Sequence, residues 1–146
     1  MYIVGIDPGK SGGVAFVSIK NPYHDFWALS RTHMTEKDIV DEIGSQAMSI
    51  SRVFLEKVHS MPKQGVVSAF TFGTDYGFYK GMLAALKLSY VEVTPQTWQK
   101  ELKCLTKGDK NVSKRKAQQV FPACKKMTHA IADALLIAEY GRIIFK

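Results

Sequence analysis

The chain has 146 residues, 46% of them hydrophobic, which is enough for one packed core. Its net charge of +7 at pH 7 points to a polyanionic partner, nucleic acid first and a membrane surface second. No apolar run is long enough to span a bilayer. There is neither a basic n-region nor a cleavage site at the start, and Cys104 and Cys124 have no metal or redox spacing. A cytoplasmic protein with reduced thiols is expected.

In chain order, Tyr2, Ile3, Val4 and Ile6 form an apolar run that ends at Asp7. Pro8-Gly9 and Ser11-Gly12-Gly13 make a turn, and a second apolar run covers residues 14–17. This predicts a β-hairpin whose first strand is buried on both faces. Aspartate has poor strand propensity and is costly to bury unpaired. Asp7 therefore calls for a partner, a metal ion or a hydrogen-bond network. The competing reading is a turn residue bonded to its own backbone ahead of Pro-Gly.

Residues 25–29 suit a third strand of the same meander, after a turn at Asn21-Pro22. Thr35 is a good N-cap, with Asp38 as an acidic capping-box partner and Met34 as a staple, so a helix is predicted over 35–50. Val53, Phe54 and Leu55 then form a short buried strand that also ends in an acid, Glu56. Sites in α/β sheets gather at the carboxyl ends of strands. A surface ion pair with Lys57 or His59 is the alternative for Glu56.

Residues 64–88 are rich in aromatic and small residues. Gly77, Gly81 and Ala85 recur every four residues, as do Phe78, Met82 and Leu86, which predicts a helix over 75–87 packed closely against a neighbour. Residues 66–73 also have helical character, with Gly73 as an obstacle. This aromatic stripe reads as core or subunit interface, with base stacking by Phe70 or Phe72 as the second reading. Residues 89–93 form a strand. Thr94 caps the next helix with Pro95 at its first position, and Trp98 and Leu102 lie on its inner face.

From Lys100 onward the chain turns basic. Gly108-Asp109 reads as a loop tip, and Ser113 as the cap of a helix ending before Pro122. Charge runs are usually solvated faces. This run holds much of the positive excess on two short helices and their loop, so Lys103, Lys107, Lys110, Lys114, Arg115 and Lys116 are assigned to DNA phosphates. The last element, 128–140, is a strongly apolar helix that nevertheless contains His129 and Asp133, four apart and on one face. A local His–Asp hydrogen bond is the plainer explanation of that pair.

Three carboxylates, Asp7, Glu56 and Asp133, thus sit on apolar elements, with His129 beside the third. Oxygen-rich sites favour Mg²⁺ or Mn²⁺ over zinc. With a basic chain, the combination points to a metal-dependent nuclease.

The opening Ile-Val-Gly-Ile-Asp-Pro-Gly, the strand ending at Glu56, the segment 93–98 and the closing segment 131–138 resemble the RuvC family of Holliday junction resolvases, in the family's order and over nearly the whole chain. The phage and poxviral branch is the nearest in pattern. The resemblance implies one RNase H-like nuclease domain over 1–146, an α/β fold with a mixed five-stranded sheet flanked by α-helices. It implies a homodimer that nicks a four-way DNA junction symmetrically, leaving 5′-phosphate and 3′-hydroxyl ends, in a bacterial or phage-infected cytoplasm. It further implies two Mg²⁺ ions per site, with Mn²⁺ as the substitute, bridged by Asp7 and held by Glu56 and Asp133. His129 stands where this branch carries a fourth acid and is expected to be a neutral ligand. A lysine among Lys110, Lys114 and Lys116 would steady the transition-state charge. The helix around Gly77, Gly81 and Ala85 is the expected dimer contact.

Three rival readings remain. An actin-like or sugar-kinase ATPase would need a second Asp-x-Gly phosphate loop and a longer chain. A non-catalytic DNA-binding protein would have no need of the three acids. A nuclease of the same fold for flaps, forks or RNA is barely separable by sequence.

Overall fold

The computed structural model describes residues 1–145. Five strands form one sheet in the order β3-β2-β1-β4-β5. They are β1 (Tyr2–Asp7), β2 (Gly13–Ser18), β3 (Phe26–Ser30), β4 (Ile50–Glu56) and β5 (Tyr90–Val93). β1 pairs antiparallel with β2, and β2 with β3, because tight turns join them; β1–β4 and β4–β5 are parallel and need helical crossovers. The helices are α1 (Glu36–Gln46), α2 (Val66–Ala85), α3 (Pro95–Glu101), α4 (Lys110–Val120) and α5 (His129–Ile144). The expected mixed five-stranded sheet with flanking helices is thus present, and among the described residues no helix is long and apolar enough to cross a membrane.

Strand alternation divides the core in two. Val4 and Ile6 of β1, with Val53 and Leu55 of β4, face Ile39 and Ile43 of α1 and Tyr79, Met82 and Leu83 of α2. Ile3 of β1 and Phe54 of β4 face the other way, onto Trp98, Ala117 and a row of α5 residues that includes Ala134, Leu135 and Ala138. α5 lies almost on the sheet. A Cβ on Gly5 would come within 2.2 Å of the Ala134 carbonyl oxygen and 2.4 Å of the Ala138 nitrogen. Only glycine in the strand, facing alanines in the helix, allows this approach. Leu135, Leu136 and Ile137 are fully buried, each contributing about 2 kcal/mol by removal from water.

Several local signals act as expected. Thr35 makes a reciprocal capping box with Asp38, and Met34 packs in the same cluster as Ile39. Thr94 caps α3, accepting from the Thr97 N–H at 3.3 Å. Other elements differ. α2 runs unbroken through Gly73, since burial of Asp75, Tyr79, Met82 and Leu83 outweighs one glycine of about 1 kcal/mol. Gly73, Gly77 and Gly81 have no neighbouring atom within 4 Å where a Cβ would stand, so they pack against no other element of this chain and form an open face. α4 starts before Ser113. Its cap is Asp109, whose carboxylate accepts from the Asn111 N–H at 3.0 Å, while Ser113 is buried and donates to the Lys110 carbonyl.

Two helices end in Schellman turns without glycine. After α2, the Leu88 N–H donates to the Leu83 carbonyl and Lys87 takes φ 55°. After α3, the Cys104 N–H donates to the Gln99 carbonyl and Lys103 takes φ 57°. Lysine offsets part of its left-handed strain by placing a cation at the helix C-terminus.

Candidate active site

The alternation that sends Val4 and Ile6 to one face sends Asp7 to the other, together with Gly5. In β4, Val53 and Leu55 face α1 and α2, so Glu56 also points to the α5 side. Ile6 and Leu55 are partners in the parallel register, which places Asp7 and Glu56 side by side at the ends of adjacent strands. The close seat of α5 at Gly5 brings its first turns over those ends, and with them Asp133. Asp7, Glu56 and Asp133 line one opening of about 480 Å³, along with Lys10, Ser11, Ser68, Thr71, Phe72 and Lys110.

The electrostatics follow from burial. Asp7 is held well above the usual carboxylate range, first by desolvation and then by repulsion from Glu56 and Asp133, with Lys110 opposing. Burial pushes Glu56 up to about 7; the Trp98 indole N–H, which donates to its Oε2 at 2.7 Å, pulls the other way. Asp133 is also raised by burial, against Ser113, Lys110 and His129. Its Oδ1 is inaccessible and has no hydrogen-bond partner. Among the described residues no arginine pairs with any of the three. This cluster of like charges, with its orphaned buried oxygen, lacks a full counter-charge from the protein. Among the described residues no group of three or more His, Cys, Asp and Glu side chains is gathered closely enough to hold a metal ion. Mg²⁺ asks less of a protein, one or two carboxylates plus waters and substrate phosphates.

The other predicted site residues are dispersed. His129 is exposed in the first turn of α5, close enough to stabilise the Asp133 carboxylate but outside the lining of the opening. Lys110, at the start of α4, is the one member of the basic set in the opening. Lys103 and Lys116 line a separate cavity of about 670 Å³ with Tyr23, Glu101 and Glu139. Lys107 and Arg115 are exposed and Lys114 is half-buried. Phe72 packs beside Gly9, while Phe70 is 76% exposed. Sequence reasoning passed over Trp98 as a partner of Glu56, Lys10 next to the Asp7 turn, and the pair Arg31–Asp75. For Asp75 a signal existed: it is the one acid in the 20 residues of α2.

No family model and no curated protein matches the chain. Solved structures do. Thermus thermophilus RuvC superposes with a TM-score of 0.64 at 16% identity, covering 99% of this chain and 97% of the other. T. thermophilus RuvC in complex with Holliday junction substrate gives 0.63 at 16% identity, covering 96% and 91%. The chain has the RuvC fold, an RNase H-like architecture. The yeast mitochondrial Holliday junction resolvase Ydc2 gives 0.54 at 11% identity, covering 96% of this chain and 78% of that one.

Proposed function

We propose that the chain is a single-domain, structure-selective endonuclease that resolves four-way DNA junctions by symmetric phosphodiester hydrolysis. The supporting observation is the meeting of Asp7, Glu56 and Asp133, from three separate elements, in one opening with Lys110 and no arginine partner. The RuvC-fold structures add weight, one of them bound to a Holliday junction.

In this reading Asp7, Glu56 and Asp133 hold two Mg²⁺ or Mn²⁺ ions, with exposed His129 as the fourth donor. Divalent cations there would polarise the scissile phosphate and activate a water. Trp98 fixes the Glu56 rotamer from behind, leaving Oε1 for the opening. Lys110, within electrostatic reach of all three acids, offsets charge on the phosphate in the transition state. Lys10 adds a second cation at the mouth. Lys103, Lys107, Lys114, Arg115 and Lys116 contribute phosphate contacts that position DNA without reading sequence. Selectivity for a junction requires two sites at fixed separation, hence a homodimer. The open face of α2, with Gly77, Gly81 and exposed Ala85, is its contact. In this reading the enzyme belongs to the phage and poxviral branch and works in the cytoplasm of a bacterial or phage-infected host.

The test is nicking of labelled four-way junction, Y-fork and linear duplex with Mg²⁺ or Mn²⁺. Asp7→Asn is expected to lower junction nicking by about 10³-fold or more, the scale of losing one strong preorganised electrostatic contact to the transition state. Retained nicking by Asp7→Asn would refute the site, and equal cutting of linear duplex would refute junction selectivity.

A further inference from the structure

A second buried carboxylate lies just behind the first cluster. Asp75, on α2, is 6% exposed and Arg31 is 9% exposed. Asp75 Oδ2 accepts the Gly9 N–H at 2.8 Å, and Oδ1 accepts from Arg31 Nε at 3.1 Å. Arg31 spends its remaining donors on the Met34 carbonyl and on Glu36, 3.2 Å away. Each Asp75 oxygen therefore accepts a hydrogen bond from the protein, and its charge is compensated by Arg31.

The bond to Gly9 holds the turn that directly follows Asp7. Gly9 has φ 106°, a conformation that only glycine adopts without strain. Its N–H donates to Asp75 on α2. The same turn is gripped from its other end by the Arg31 backbone N–H on the Gly12 carbonyl at 2.9 Å and by the Thr32 hydroxyl on the Lys10 carbonyl at 2.8 Å. Residues 8–12 are thus clamped between β1, the segment after β3, and α2. The clamp sets where the Asp7 end of β1 stops and where Lys10 stands at the mouth of the opening.

We infer that Asp75, held by Arg31, is a positioning residue that locks the turn after Asp7 against α2 and thereby sets the divalent-cation affinity of the Asp7–Glu56–Asp133 cluster. The inference rests on the cation-holding role proposed above for that cluster. Groups that orient metal ligands from behind typically alter affinity by about 10- to 100-fold.

The experiment is calorimetric titration of the DNA-free protein with Mn²⁺, alongside circular dichroism to confirm folding. Asp75→Ala is expected to weaken Mn²⁺ binding by about tenfold or more. Asp75→Asn keeps an oxygen for the Gly9 N–H and is expected to recover most of that loss. Where Asp75→Ala does not fold, the double variant Arg31→Met with Asp75→Leu replaces the buried pair with apolar groups of similar volume, a change that folds are known to tolerate. It still removes the Gly9 acceptor and should show the same tenfold weakening. Wild-type Mn²⁺ affinity in either folded variant would overturn the positioning role and leave Asp75 a stability element. Mn²⁺ binding absent from the wild type, or undiminished in Asp7→Asn, would instead overturn the cation site itself and the inference with it.

Discussion

Two groups of buried carboxylates are treated in opposite ways. Asp75 and, elsewhere on α5, Glu139 are each satisfied by an arginine: Asp75 by Arg31, and Glu139 by two bonds of 2.7 and 2.8 Å from Arg142. Among the described residues Asp7, Glu56 and Asp133 have no arginine, only Lys110 and Lys10 lining the same opening, and Asp133 Oδ1 has no partner at all. Burial alone does not separate a structural acid from a functional one. What separates them is whether the protein itself provides the counter-charge. An acid already neutralised holds the fold, whereas acids raised above their ordinary range and left facing an opening are the ones the proposed function assigns to a cation.

The largest stability effect should come from the satisfied side. Arg31→Ala leaves Asp75 buried without its counter-ion and should destabilise by about 3–5 kcal/mol, read from urea denaturation. A change under 1 kcal/mol would mean that Asp75 is not charge-compensated by Arg31, and the contrast would fail.

The unsatisfied side makes a pH prediction of definite sign. Glu56 titrates near 4.5 when unfolded and near 7 when folded, and Asp7 and Asp133 are raised in the same direction. Between those values the folded state binds more protons than the unfolded state. Cation-free stability should therefore be full at the acidic end of this window, fall as pH rises through it, and level off above about 7. Millimolar Mn²⁺ should offset the fall by binding the ionised cluster. Glu56→Gln should flatten the cation-free profile while lowering junction nicking. Thermal denaturation across the window, with and without Mn²⁺, measures all of this. A profile that rises with pH would contradict the assigned electrostatics.

The smallest effect belongs to a site with neither role. Lys87→Gly removes left-handed strain at the end of α2 and should stabilise by about 1 kcal/mol. Its pH profile should match that of the wild type, which makes it the baseline for the other two.

Much of the architecture was legible in advance because it is local. The alternation in residues 2–7, the capping pair Thr35–Asp38, the Thr94 cap with Pro95 behind it, and the apolar run 131–138 are decided within a few residues of themselves. The acids of the site stood out for the same reason: each interrupts an apolar element. The path of α2 through Gly73 was less clear, because tertiary burial of Tyr79 and Leu83 overrides the local cost of a glycine. The start of α4 was misplaced by four residues because two good caps, Asp109 and Ser113, compete, and packing buries the second.

The amino-acid order by itself determined which residues are costly to bury: Asp7, Glu56 and Asp133 in apolar settings, with a basic chain around them. Only the folded arrangement decided which of the buried acids are neutralised. Counter-charge depends on distance in space, and Arg31 and Asp75, separated by 44 positions along the chain, meet only when α2 crosses the sheet. The same long-range placement brought Lys110 into the opening while it carried Lys103 and Lys116 to a separate cavity. Charge is a property of residues, but compensation is a property of their arrangement.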